Sequence, residues 1–133
     1  MRSFKSANAI GLALSGGAAR GIAHIGVLRA LEEQEIPIKF ISGTSVGAII
    51  AALYAFDVEL DEIGRFAKSL NLSKVSSFKL SKYGLFDNHN LKDLLHQYIG
   101  DSCIEDSKLP LAIIATDISS CLLYTSDAAD EDL

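Results

Sequence analysis

The chain has 133 residues, 49% hydrophobic and 22% charged, with a formal net charge of -5 at pH 7. This composition supports one compact domain, or part of one, with a real apolar core. The acidic balance and the absence of a Lys/Arg cluster argue against a nucleic-acid partner, so an anionic ligand would be held by backbone amides or single side chains.

The first element is "NAIGLALSGG", a short apolar run stopped by glycines, which predicts a strand buried on both faces that ends in a turn. From Arg20 to Glu33 the apolar positions Ile22, Ile25, Leu28 and Leu31 recur at helical spacing. Pro37 then breaks the chain, and "IKFISG" predicts a second strand before "GTSVGAIIAALYAF" turns into a buried helix. Its apolar run, Val46 to Phe56, is well short of the ~18 residues of a membrane span. The N-terminus carries no signal-peptide pattern, and Cys103 and Cys121 show neither metal spacing nor a disulfide framework. Those features predict a reducing, cytoplasmic setting with no transmembrane segment.

Asp57 to Leu70 predicts a further helix, with Leu60, Ile63, Phe66, Ala67 and Leu70 on one stripe. "NLSKVSSFKLSKYGLFDNHN" predicts a long connection. Asn90 caps a short helix that runs to Ile99 and ends near Gly100. After Pro110, "LAIIATDI" is another buried-strand run. Strand, helix, strand, helix implies an α/β fold built on a parallel sheet with right-handed crossovers. From about Ser119 the buried-strand pattern is lost. Residues 119–133 resemble read-through or adapter-derived sequence, with a native, mobile tail as the alternative, and either way residues 8–118 remain as the functional unit.

"GTSVG", Gly43 to Gly47, lies between a strand and a helix, the setting of a nucleophile elbow. Side chains at Gly43 or Gly47 would crowd so tight a turn, and Ser45 would stand at its tip. Taken alone, the serine serves equally well as a helix cap or as a nucleophile. "GGAARG" offers consecutive backbone N–H groups at a second strand-to-helix junction, where the macrodipole favours negative charge. It lacks the GxxxxGK[ST] pattern and the third-position glycine of a dinucleotide loop, so an oxyanion fits it better than a nucleotide phosphate.

At these motifs the sequence resembles the patatin-like phospholipase family in its bacterial form. "GLALSGGAARGIAHIGVLRALEE" is similar to the family's glycine-rich oxyanion loop and following helix, and "ISGTSVGAIIAALYA" to its elbow and buried helix. "GLFDNHNLKDLL" and "LPLAIIATDIS" are weaker matches, and the resemblance runs from about Asn8 to Ser119. It implies a three-layer parallel-sheet fold, truncated here before its later strands. It also implies hydrolysis of phospholipids or other fatty acyl esters through a Ser–Asp dyad and an acyl-enzyme, without histidine, cofactor or metal. Ser45 would be the nucleophile, and Gly16, Gly17 and Ala18 the oxyanion loop, with the Gly17 and Ala18 amides as donors. Arg20, Gly21, Gly43 and Gly47 would support the motifs, with contact to a lipid phosphate as the alternative role for Arg20, and peripheral contact with a membrane would follow from a lipid substrate.

Two departures stand out. Ala18 replaces the usual third glycine, which would strain a backbone with φ > 0 there. No Asp-Gly pair follows Ser45, so the family's catalytic aspartate, set in a D-G-[GA] motif, is missing from this chain. A chain cut there would leave apolar surface on the elbow helix uncovered. The other enzymatic reading is an α/β-hydrolase with a Ser-Asp-His triad, and the non-enzymatic one is a lipid-binding or regulatory module. Among remaining candidates, His24 reads as a satisfied structural residue, His89 and His96 as solvated, and Asp117 as a carboxylate bonded to loop amides.

Overall fold

A computed structural model describes residues 9–72, 88–117, 119–120 and 122–127. Its sheet has four strands in sequential order: β1 (Ile10–Leu14), β2 (Ile38–Thr44), β3 (Leu111–Asp117) and β4 (Leu122–Asp127). β1, β2 and β3 pair in parallel, with Leu14 opposite Gly43 and Gly43 opposite Ile113, while β4 pairs antiparallel with β3. The helices are α1 (Ile22–Glu33), α2 (Val46–Ala55), α3 (Leu60–Leu72) and α4 (Asn88–Ile99). Parallel strands laid side by side in one direction by right-handed crossovers carry their helices on one face. The core lies there.

α2 is the centre of that core. Its residues Gly47, Ala48 and Ile50 to Ala55 are all buried, and the small side chains of Ala48, Ala51, Ala52 and Ala55 let it lie close to the sheet. The other core contributors are Leu14, Ile41 and Leu111 from the strands, and Ile25 and Leu28 from α1. Leu60, Ile63, Phe66 and Ala67 of α3 complete it, as their spacing predicts. Among the described residues the opposite sheet face is open, so β1 is not buried on both faces as its apolar run predicts: Gly11 and Ala13 are exposed, and Phe40, 53% exposed, lies over Gly11. The uncovered apolar surface expected on the elbow helix is thus on the sheet instead, because α2 is enclosed by β1, β2, β3, α3 and α4.

Helix boundaries depart from the sequence pattern at two turns. Asp57, expected to open a helix, has φ 67 and closes α2, with the Val58 N–H donating to the Leu53 carbonyl at 3.1 Å. α1 ends the same way at Glu35, φ 53, with Ile36 N–H to the Leu31 carbonyl at 2.9 Å. Both are Schellman-type ends without the usual glycine. α4 begins at Asn88, so Asn90 lies inside it rather than capping it; Gly100, φ 61, does end it. Residues 122–127, set apart by their pattern, form β4, where Leu122, Leu123 and Tyr124 are 56%, 69% and 54% exposed. The long connection falls on residues 71–90, of which 73–87 lie outside the described residues.

The close approach of α2 to β1 sets a stability test. A Cβ at Gly47 would lie 2.3 Å from the Leu14 carbonyl oxygen and 2.6 Å from that of Ser15, whereas one at Gly64 meets nothing within 4 Å. Gly47→Ala is expected to lower unfolding free energy by at least ~3 kcal/mol, since backbone cannot give way as a side chain does. Gly64→Ala, in the interior of α3, should raise it by about 0.5–1 kcal/mol. Urea midpoints of the two variants check both signs.

Candidate active site

Ser45 joins β2 to α2 with φ 53 and ψ −129, a conformation that costs a non-glycine residue ~1–3 kcal/mol. It occupies the N-cap position, yet its side chain makes no capping hydrogen bond. The first turn of α2 is served by the Ser45 carbonyl instead, which accepts from Ala48 N–H at 3.0 Å and Ile49 N–H at 3.3 Å. The hydroxyl therefore stands exposed and unspent on capping. A helix cap has no need of this strain, because ordinary N-caps sit in the relaxed β region. The flanking glycines permit the turn: a Cβ at Gly43 would fall 2.4 Å from the Gly47 carbonyl oxygen and 2.6 Å from the Ala48 nitrogen.

The glycine loop comes to the same place from β1. A Cβ at Gly16 would lie 3.1 Å from Ser45 Cβ, 3.7 Å from Ser45 Oγ and 3.7 Å from the Thr44 carbonyl oxygen. Gly17 has φ 146, a backbone that L side chains rarely adopt. From Ala18 to Gly21 the chain forms a 3-10 turn, closed by Arg20 N–H donating to the Gly17 carbonyl at 3.0 Å, and runs directly into α1. Ala18 thus has helical backbone, so the strain feared for an alanine there does not arise. Amides at such a helix start lack intrahelical acceptors and carry the positive end of the dipole.

The supporting residues lock these two loops together. Gly21 is buried against Val46, the residue after Ser45; a Cβ there would meet Val46 Cγ1 at 2.4 Å. Arg20 contributes its backbone to the loop, while its side chain is exposed. Nothing in the sequence pattern marks the Leu14 and Ser15 carbonyls, yet both press on Gly47 and fix the spacing between the motifs.

The other candidates lie elsewhere or are engaged. His24 Nε2 is 2.8 Å from the Ser15 carbonyl oxygen. A carbonyl only accepts, so Nε2 carries a proton and is not free to take one. His96 Nε2 lies 3.2 Å from Asp101 Oδ1 in the last turn of α4. His89 is in the first turn of that helix, and its side chain is outside the described residues. Asp117 ends β3 at the same carboxyl edge of the sheet as Ser45. Its oxygens accept from Ser119 N–H at 2.9 Å and Ser120 Oγ at 2.6 Å. The Ser120 hydroxyl first, and the Ser119 amide second, hold the Asp117 carboxyl below its ordinary value of 3.8.

Among the described residues no cluster of three His, Cys, Asp or Glu could hold a metal ion, and no helix is long and apolar enough to cross a membrane. The sequence profile of the patatin-like phospholipase family matches residues 12–132. The chain belongs to that family. It is also 34% identical over 120 residues to the protein named neuropathy target esterase sws of Drosophila sechellia, covering 85% of this chain and 8% of that protein. The proteins of the same name from Drosophila persimilis and Drosophila grimshawi match at the same identity and coverage. The chain thus spans 8% of the length of these curated relatives. The α/β architecture, with its mostly parallel sheet, is that expected for a patatin-like member.

The Asp117 turn makes a pH prediction. With a folded-state pKa below the unfolded 3.8, Asp117 adds stability above that value and loses it as pH falls through the folded pKa. The Ser119 amide resonance should therefore titrate with a midpoint below 3.8, and Asp117→Asn should abolish the transition. NMR between pH 7 and about 2 reads both.

Proposed function

We propose that this chain carries the nucleophile and oxyanion loop of a serine lipid acyl hydrolase, acting on fatty acyl esters of phospholipids or related lipids. The observation that carries the reading is Ser45: an exposed hydroxyl, free of capping duty, on strained backbone beside Gly16. Family membership and the esterase names of the relatives support the same chemistry.

Ser45 Oγ attacks the ester carbonyl carbon while its proton passes to a carboxylate base. The carbonyl oxygen becomes an oxyanion, received by N–H groups of the Gly16–Ala18 loop, with those of Gly17 and Ala18 as principal donors. Collapse expels the alcohol, which takes the proton from the base, and leaves an acyl-serine that water then hydrolyses. The base is an aspartate in a D-G-[GA] setting, and this chain has no Asp-Gly pair after Ser45. The nucleophile and oxyanion donors that this chain supplies all lie within residues 8–118. Substrate presented from a membrane surface would call for peripheral contact with it, in the reducing, cytoplasmic setting that the cysteines and N-terminus predict.

In a parent protein supplying that aspartate, Ser45→Ala is expected to cut hydrolysis of p-nitrophenyl fatty esters by about 1,000-fold or more, and His24→Ala by less than about tenfold. Residues 1–133 alone should show no turnover that depends on Ser45, since a serine hydroxyl without a base is a weak nucleophile. Comparable losses at Ser45 and His24, with folding intact by circular dichroism, would favour a Ser-His mechanism. Undiminished turnover in Ser45→Ala would overturn Ser45 as the nucleophile, whereas no turnover in the unsubstituted protein would leave a lipid-binding module.

A further inference from the structure

The most informative group outside the proposed nucleophile and donors is the His24 imidazole. It projects from the first turn of α1, half-buried, and bonds back across nine residues to the Ser15 carbonyl at 2.8 Å. That carbonyl is pressed from another side by Gly47, where a Cβ would come within 2.6 Å of its oxygen. A trans peptide unit is planar, with its C=O and N–H pointing in opposite directions. Fixing the Ser15 oxygen between His24 and Gly47 therefore fixes the direction of the Gly16 N–H, in the residue that lies against Ser45.

We infer that His24 is a positioning residue: through an Nε2–H bond to the Ser15 carbonyl it sets the orientation of the Ser15–Gly16 peptide, and so of the Gly16 N–H at the start of the donor loop, beside Ser45. The functional part rests on the acyl-hydrolase reading, whereas the clamp itself does not. Two glycines in succession have the most conformational freedom of any dipeptide, and Gly17 sits at φ 146, so a donor loop made of them needs an outside anchor. His24 supplies it from a helix. The acceptor is a carbonyl, so the neutral ring holds its proton on Nε2 and the imidazolium makes the same bond.

The experiment reads backbone ¹⁵N order parameters of Gly16 and Gly17 in the full chain, with His24→Ala, His24→Gln and His24→Asn. Gln places an amide N–H close to the position of Nε2; Asn is too short to reach it. Order parameters near 0.85 in the parent should fall below about 0.6 in the Ala and Asn variants and recover in Gln, with Ile50 in α2 unchanged in all. Unchanged glycine values in His24→Ala, or an equal drop at Ile50, would overturn the clamp. Should His24→Ala fail to fold, the Gln and Asn pair decides, and equal glycine order in those two overturns it. In the aspartate-containing protein, His24→Ala should lower kcat about fivefold at constant KM, the scale of one neutral hydrogen bond, with Gln restoring it. An effect on KM alone would overturn the positioning role in catalysis. Failure of Ser45→Ala to affect turnover would overturn the nucleophile reading and leave the order-parameter result standing on its own.

Discussion

Backbone packed on backbone at Gly47 is the constraint on which the rest of the structure depends. The first turn of α2 lies so close to the end of β1 that the Leu14 and Ser15 carbonyl oxygens occupy the space a Cβ would need. The same turn folds back on Gly43 at the end of β2. Once α2 is seated there, two adjacent parallel strands have their carboxyl ends tied to one helix N-terminus, and the loops that leave them are forced together. Ser45 and Gly16 are neighbours because α2 has no side chain at its point of entry.

The strain at Ser45 follows from that seating. A chain leaving β2 and entering a helix within one residue cannot take the relaxed N-cap conformation, and the carbonyl rather than the hydroxyl of Ser45 serves the helix. Burial of nearly all of α2 stabilises the arrangement against this cost. Gly21 against Val46 then holds the second loop to the first, and His24 on the Ser15 carbonyl ties the second loop to its own following helix, so placement of these loops rests on packing between helices and strands rather than on the loops themselves.

Much of this was legible in the sequence because hydrophobic period and glycine placement report directly on burial and close approach. The stripe Leu60, Ile63, Phe66 and Ala67 is buried as its spacing requires, and the short runs around Leu14, Ile41 and Leu111 form strands that feed the core. What stayed hidden had no side-chain signal. Glu35 and Asp57 end their helices in left-handed conformation without a glycine to announce it. β4 pairs through its main chain while Leu122, Leu123 and Tyr124 remain exposed, so it shows no alternation between core and solvent. Whether the Ser45 side chain caps α2 was equally unreadable, since that depends on its φ and ψ. The Ser15 carbonyl, common to His24 and Gly47, belongs to a main-chain atom that no residue type encodes.

The central claim is that Ser45 is the reactive serine. It is tested most directly by treating the aspartate-containing protein with a lipid-like fluorophosphonate and locating the adduct by peptide mass spectrometry. The account predicts one stoichiometric adduct, on the peptide containing Ser45. An adduct on a different serine, or none on a folded protein that hydrolyses esters, would contradict it.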